Sequence, residues 1–326
     1  MAAGFNETGL VFSEDYAKTM NERVLPFLRE RVRKIALSGA GQKPISAYRY
    51  DAEDPRGTVA VVHGFTECAE KFSELIFSLL RHGYSVLTLD QRGHGYSWRD
   101  EQVKDPSLIH VNRFQDYVDD LKLLCDQHLT EMPKPRYIFG HSMGGAVVLA
   151  FLEDFPGVFD KAVLCAPMVA PQRGGLPMWA AKAMCAGAIM TGGSRKRIPM
   201  SQPWSGPEDF ETSCASGRER FDWYDDLRVR TKNYQTSGPS FGWTKEALNV
   251  TARLMAPGAP EKIRIPVRIY TAEQDNQVIS GEHVRIAARI PGAVQRTVAG
   301  SRHEIYRSPD AVVFPWWQEI LTFLDA

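Results

Sequence analysis

Apolar positions along the chain recur in two rhythms. Short runs rich in β-branched and aromatic residues, "TVAVVHG" at 58–64 and "YSVLTLD" at 84–90, flank a segment in which Phe72, Leu75, Ile76, Leu79 and Leu80 fall at helical spacing. That alternation predicts a βαβ unit. A second helix is predicted from Phe114, Tyr117, Val118, Leu121, Leu124 and Cys125, which form one stripe opposite Asp116, Asp119, Asp120 and Lys122. "RYIFG", "KAVLCAP", "IPVRIYTAEQD" and "VQRTVAG" then read as further strands, and "GAVVLAFLEDF" as a helix between the first two. Near the N-terminus Ser13 is expected to cap a helix over 14–30, and "RVRKIAL" and "ISAYRY" flank a turn-rich stretch as an antiparallel hairpin. Uninterrupted apolar strands alternating with amphipathic helices imply an α/β protein with a mostly parallel sheet covered on both faces.

The rhythm breaks once. From about 171 to 262 the chain is rich in Pro, Gly, Trp, Met and Ser, too long for an ordinary connection between neighbouring strands. We expect an inserted cap over 171–262, flanked by two parts of one core, 1–170 and 263–326. "AVVFPWWQEILTFLD" closes the chain as a helix whose Trp316 and Trp317 anchor the core.

Composition narrows the function classes. Lys plus Arg equals Asp plus Glu at 39 each, so no net field attracts nucleic acid. The five cysteines, at 68, 125, 165, 185 and 214, form no C-x-x-C pair and read as reduced, mostly buried thiols rather than zinc or redox ligands. The first residues lack a basic segment and carry Glu7, Glu14 and Asp15, against a signal peptide, and no apolar run reaches the ~18 residues of a membrane span. The expectation is a cytoplasmic protein, with peripheral contact at the inner face of the membrane left open.

Candidate chemistry centres on "YIFGHSMGGAVV", where Ser142 lies between a strand and a helix with Gly140 and Gly144 on either side. G-x-S-x-G in that context is a nucleophile elbow, a tight turn that exposes a reactive serine. A serine hydroxyl is a weak nucleophile until a base takes its proton, so a histidine and an orienting acid are required. Two histidines follow Ser142: His283 falls in a helix expected to be exposed, whereas His303, in "AGSRHEIYRS", falls just past the last strand and is the base. Beyond the preceding strand, "AEQD" offers Asp275, with Glu273 as stand-in. His141 is expected to point away from Ser142 and to be structural. Backbone N–H donors for a developing oxyanion are expected from Met143 and from the loop "VVHGFTE".

"HGF", "DQRGHGYS", "GHSMGG", "AEQD" and "RHEI" fall in an order and spacing that resembles the α/β-hydrolase fold, specifically the monoacylglycerol lipase and lysophospholipase L2 group, also classed with serine aminopeptidases. The resemblance runs from about Ile45 to the C-terminus, and "HVNRFQDYVDDL", "SRERFDWYDDL" and "GPSFGW" resemble the lysophospholipase L2 branch in particular. It implies Ser142, Asp275 and His303 as a triad, Phe65 with Met143 as oxyanion hole, and a structural loop from Asp90 to Ser97.

Within the cap, "LPMWAAKAMCAGAIM" carries a single charge, Lys182, and is expected to meet lipid or an acyl chain through Trp179, Met184 and Ile189, or else to pack on the cap's own core. Arg195, Lys196 and Arg197 read as a solvated loop, with anionic headgroups as the alternative. The resulting expectation is a serine hydrolase of a single-chain lipid ester, a monoacylglycerol or lysophospholipid, needing no metal or organic cofactor. A short-chain or aryl carboxylesterase, an aminopeptidase, and a non-catalytic receptor on the same fold are the alternatives. Oligomeric state is not legible.

Overall fold

The computed structural model describes residues 4–326. At the N-terminus, α1 (Tyr16–Thr19) runs through one wide turn, Met20–Val24, into α2 (Leu25–Arg31). The helix predicted over 14–30 is thus interrupted, and Ser13 does not cap it: its N–H and hydroxyl both bond the Asp310 carboxylate, 2.9 and 2.8 Å away. A long-range acceptor outcompetes the local one.

The predicted hairpin is β1 (Val32–Gly39) with β2 (Lys43–Tyr50), antiparallel from Val32 opposite Tyr50 to Gly39 opposite Lys43. The βαβ unit follows as β3 (Gly57–Val62), α3 (Ser73–Arg81) and β4 (Tyr84–Leu89). Then come α4 (Gln115–His128), β5 (Arg136–His141), α5 (Met143–Asp154) and β6 (Lys161–Cys165). The long insertion contributes α6 (Met178–Met190), α7 (Arg218–Arg230) and α8 (Phe241–Leu254). Last are β7 (Val267–Gln274), α9 (Gly281–Ala287), β8 (Val294–Arg302) and α10 (Asp310–Asp325).

The eight strands form one sheet in the order β1-β2-β4-β3-β5-β6-β7-β8. The hairpin joins antiparallel, with Ala47 opposite Leu89, and every pairing from β4 onward is parallel. Both faces are covered, which explains the apolar runs. Along β3, Val59 and Val61 point into one buried cluster with Phe72, Phe139 and Trp316, while Ala60 and Val62 point into the other with Ile138, Val148 and Leu121. Period-two alternation thus sends both sets of side chains into a core, and no polar face is needed. Trp316 and Trp317 are buried, as expected of core anchors.

The insertion does not stand apart from this core. Trp223 and Tyr224 of α7 join the cluster on one face, and Trp243, Ala247, Val250 and Leu254 of α8 join the cluster on the other. His283 also departs from expectation. The helix carrying it packs inward, and the ring is fully buried between the Thr271 hydroxyl at 2.9 Å and the Pro167 carbonyl at 2.8 Å. No helix among the described residues is long and apolar enough to cross a membrane.

Candidate active site

Ser142 occupies the turn between β5 and α5, where parallel strands deliver their C-terminal ends to one edge of the sheet. Its backbone is left-handed, φ 50° and ψ −118°, a conformation that a non-glycine residue adopts only when the surroundings hold it. They do so by hydrogen bonds: Ser142 N–H donates to the Cys165 carbonyl at 3.0 Å, and its carbonyl accepts from Met168 N–H at 2.8 Å. Gly144 makes the turn possible. A Cβ there would lie against the main-chain oxygens of Val62 and His63, so the helix could not approach the end of β3 with any other residue.

Three elements far apart in sequence converge on this serine. His303, in the turn after β8, places Nε2 2.8 Å from Ser142 Oγ and Nδ1 2.7 Å from Asp275 Oδ2. Asp275 is an acceptor only, so the imidazole carries its proton on Nδ1 and offers the Nε2 lone pair to the serine hydroxyl. The Asp275 side chain is fully buried, and its second oxygen accepts N–H bonds from Gln277 at 2.9 Å and Val278 at 3.0 Å. Burial alone would raise its pKa; the hydrogen bond and charge of His303 and the two backbone donors outweigh it and hold the carboxyl below its usual range. Glu273, the stand-in, turns elsewhere and accepts the Gly300 N–H at 2.8 Å.

Met143 opens α5, so its N–H has no acceptor within the helix and lies beside Ser142. Opposite it, the loop after β3 is braced by His63, whose Nδ1 contacts the Gly64 carbonyl at 2.8 Å and whose Nε2 accepts the Gln91 N–H at 2.9 Å. The Phe65 ring packs 4.2 Å from the indole of Trp243. His141 is closer to the centre than its place on the strand suggested. Its ring lies 4.9 Å from that of His303, and its Nε2 is 3.2 Å from the His303 carbonyl.

Ser142 and Phe65 border a cavity of about 730 Å³. Apolar lining comes from Met168, Ala181, Met184, Ile198, Trp243 and Leu248, and polar lining includes Gln172, Arg173, Gln277, Glu208, Asp209 and Arg228. Met184 therefore lies where expected, whereas Trp179 and Ile189 are not among the lining residues and Trp179 is 75 % exposed. On α6 the inward positions are 181, 184 and 185, and residue 179 is turned almost opposite to 181 by the helical pitch. The basic stretch is also not a solvated loop. Arg195 bonds Asp100 at 2.9 Å, and Arg197 bonds Asp105 at 2.6 Å and Ser107 at 2.9 Å, fastening the insertion to the loop before α4; only Lys196 is exposed.

Sequence reasoning missed Trp243, Ala247 and Leu248 as cavity residues, although their spacing on "FGWTKEALNV" marks an apolar helix face. It also missed Glu67, which is fully buried beneath the Gly64 loop. A lone glutamate in a loop carries no periodic signal.

Residues 53–310 match the model of the family described as serine aminopeptidase, S33. The chain is 30 % identical over 300 residues to lysophospholipase L2 of Escherichia coli (strain K12), covering 88 % of this chain and 85 % of that one. Against the monoacylglycerol lipase of Mycolicibacterium smegmatis it is 32 % identical over 140 residues, 43 % of this chain and 48 % of the other. Among solved structures, the carboxyl esterase of Bacillus coagulans in complex with glycerol superposes with a TM-score of 0.72 at 18 % identity, over 90 % of this chain and 98 % of that one.

Proposed function

The chain belongs to the serine aminopeptidase S33 family, and from that premise we propose that it hydrolyses esters of single-chain lipids, monoacylglycerols or lysophospholipids, with Ser142 as nucleophile. The observation that carries the reading is the row of Ser142, His303 and Asp275, joined at 2.8 and 2.7 Å beside a cavity with Met184, Ile198, Trp243 and Leu248 in its wall. In this reading His303 Nε2 takes the Ser142 proton as Oγ bonds the ester carbonyl carbon. The oxyanion accepts the N–H groups of Met143 and Phe65. The imidazolium, steadied by Asp275, then returns its proton to the leaving alcohol, and water repeats the cycle on the acyl-serine to release the fatty acid.

Residues 171–262 serve as the cap, with the acyl chain against Met184, Ile198, Trp243 and Leu248 and the headgroup toward Glu208, Asp209 and Arg228. Support for contact with a lipid surface comes from α6, where Trp179 and Met190 are 75 % and 86 % exposed and neither lines the cavity. One observation favours a peptide substrate: Glu208 and Asp209 line the cavity and can hold a free amine. Glu208 is already paired with Arg228, which leaves Asp209 alone for that role. A fluorophosphonate probe followed by mapping of the labelled residue tests the nucleophile; monoacylglycerol, lysophospholipid and aminoacyl anilide substrates compared at equal concentration test the class. Labelling that persists in Ser142→Ala, or turnover of the anilide alone, overturns the proposal.

A further inference from the structure

Beneath the row of Ser142, His303 and Asp275 lies a second, wholly buried set of ionisable groups that the reaction above does not use. Glu67 sits at its centre. One carboxylate oxygen accepts the Gly64 N–H and faces His141 Nδ1 at 3.0 Å; the other accepts the Tyr306 hydroxyl at 2.5 Å and lies 3.3 Å from Lys71 Nζ. Lys71 is shared with Glu304 at 2.5 Å, and Glu304 in turn holds Arg307 at 2.5 Å.

His141 differs from the other histidines nearby in what its two ring nitrogens meet. His63 has one carbonyl and one N–H partner, while His283 and His303 each have one acceptor and one hydroxyl, so a single ring proton satisfies each of them. His141 faces a carboxylate on Nδ1 and the His303 carbonyl on Nε2, and neither partner can donate unless Glu67 itself is protonated. Three other donors, Gly64 N–H, Tyr306 O–H and the Lys71 ammonium, already favour the carboxylate form of Glu67. The proton therefore belongs on the imidazole.

Resting on the assignment of Ser142 and His303 as reacting residues, we infer that His141 is a charged imidazolium in the resting protein which, paired with Glu67, positions the general base and the oxyanion loop against one another. Glu67 grips Gly64, the residue before Phe65, while His141 grips the backbone of His303, so one ion pair sets the spacing between the two halves of the site. Electrostatics agree in sign. Burial opposes a charge on either group, but the charge and hydrogen bond of Glu67 prevail and raise the pKa of His141, and His141 and Lys71 together outweigh burial and hold Glu67 well down. An uncompensated buried charge on either partner is strongly unfavourable, so the two are retained together.

The charge state can be read on the unmodified protein. In 15N-histidine-labelled protein at about pH 8, where an ordinary imidazole is neutral, one ring should show both nitrogens protonated and slow to exchange, a signature absent from His141→Gln. Spectra in which every histidine keeps one unprotonated ring nitrogen overturn the inference, whether or not any variant folds. Glu67→Gln should abolish the same signature and lower kcat on p-nitrophenyl butyrate about 10²-fold, the usual effect of a small misplacement of reacting groups, with KM within about threefold. A Glu67→Gln enzyme with unchanged kcat refutes the positioning role. Absence of ester hydrolysis in the unmutated protein would instead sink the proposed function and leave the imidazolium signature standing, so the two failures are distinguishable.

Discussion

If the acyl chain lies against Met184 and Leu248, chain length should be read out as energy. Each methylene moved from water into an apolar cavity is worth ~0.8 kcal/mol, or about fourfold in kcat/KM. Specificity for p-nitrophenyl esters should rise by that factor per added CH₂ and level off when the cavity of about 730 Å³ is filled. Met184→Ser removes a flexible apolar wall whose full burial is worth roughly 1.5–3 kcal/mol. About 1 kcal/mol of that is expected from contact with a long chain, a loss near fivefold on the decanoate and none on the acetate. Trp179→Ser is the internal control, because the indole is 75 % exposed and is not among the lining residues. Its profile on monomeric substrate should match the parent. The assay is kcat/KM across the ester series, each kept below its micellar concentration. A flattened profile in Trp179→Ser with an unchanged one in Met184→Ser would refute the placement of the acyl chain, and a parent profile that falls with length would favour a small-ester hydrolase.

Ser142→Ala and His303→Ala should each lower kcat by roughly 10⁴-fold or more while circular dichroism stays that of the parent. Asp275→Asn should cost on the order of 10⁴-fold, whereas Glu273→Gln, which changes only an acceptor for Gly300 N–H, should stay within about tenfold; the reverse order in the same assay would move the orienting role to Glu273. Glu153 is buried with one oxygen unpartnered, and burial, only partly offset by Arg253, pushes its pKa up to about 7. An acid raised in the folded state binds its proton more tightly there than in the unfolded chain, so its cost is absent below about pH 4 and complete above about pH 7. Glu153→Gln should therefore raise Tm at about pH 8 and leave it unchanged at about pH 4; equal shifts at both pH values would contradict the assignment. Glu304 has the opposite sign. Burial would raise its carboxyl, but Lys71 and Arg307 hold it down to about 2, so the stability that Glu304→Gln forfeits at neutral pH should fade as pH falls from about 4 toward 2 in urea titrations.

Most of the sheet was legible because its strands are covered on both faces. "TVAVV" and "YSVLTL" carry no polar alternation to mislead, and the helices between them show clean stripes. That Ser142, Asp275 and His303 would come together was legible for a related reason, since parallel strands end at one edge and each of these residues follows a strand. The errors fell where local pattern meets long-range competition. Ser13 looked like a helix cap and was taken by Asp310; His283 looked solvent-facing and was claimed by Thr271 and Pro167. Within α6, almost every residue is apolar, so periodicity gave no reason to prefer Met184 over Trp179 as the inward side chain.

What the sequence determines by itself is the alternation of elements and the turn chemistry of Ser142, because both depend on neighbours within a few residues: apolar period, glycine at 144, a serine at a strand end. What only the tertiary structure decides is which carboxylate reaches His303, which face of α6 lines the cavity, and why His141 holds two protons. Each of those depends on atoms brought together from segments tens to hundreds of residues apart, His303 and Asp275 at 2.7 Å, His141 and Glu67 at 3.0 Å. A hydrogen bond is settled by a few tenths of an ångström and by what its competitors offer, and neither quantity is written in the order of the residues.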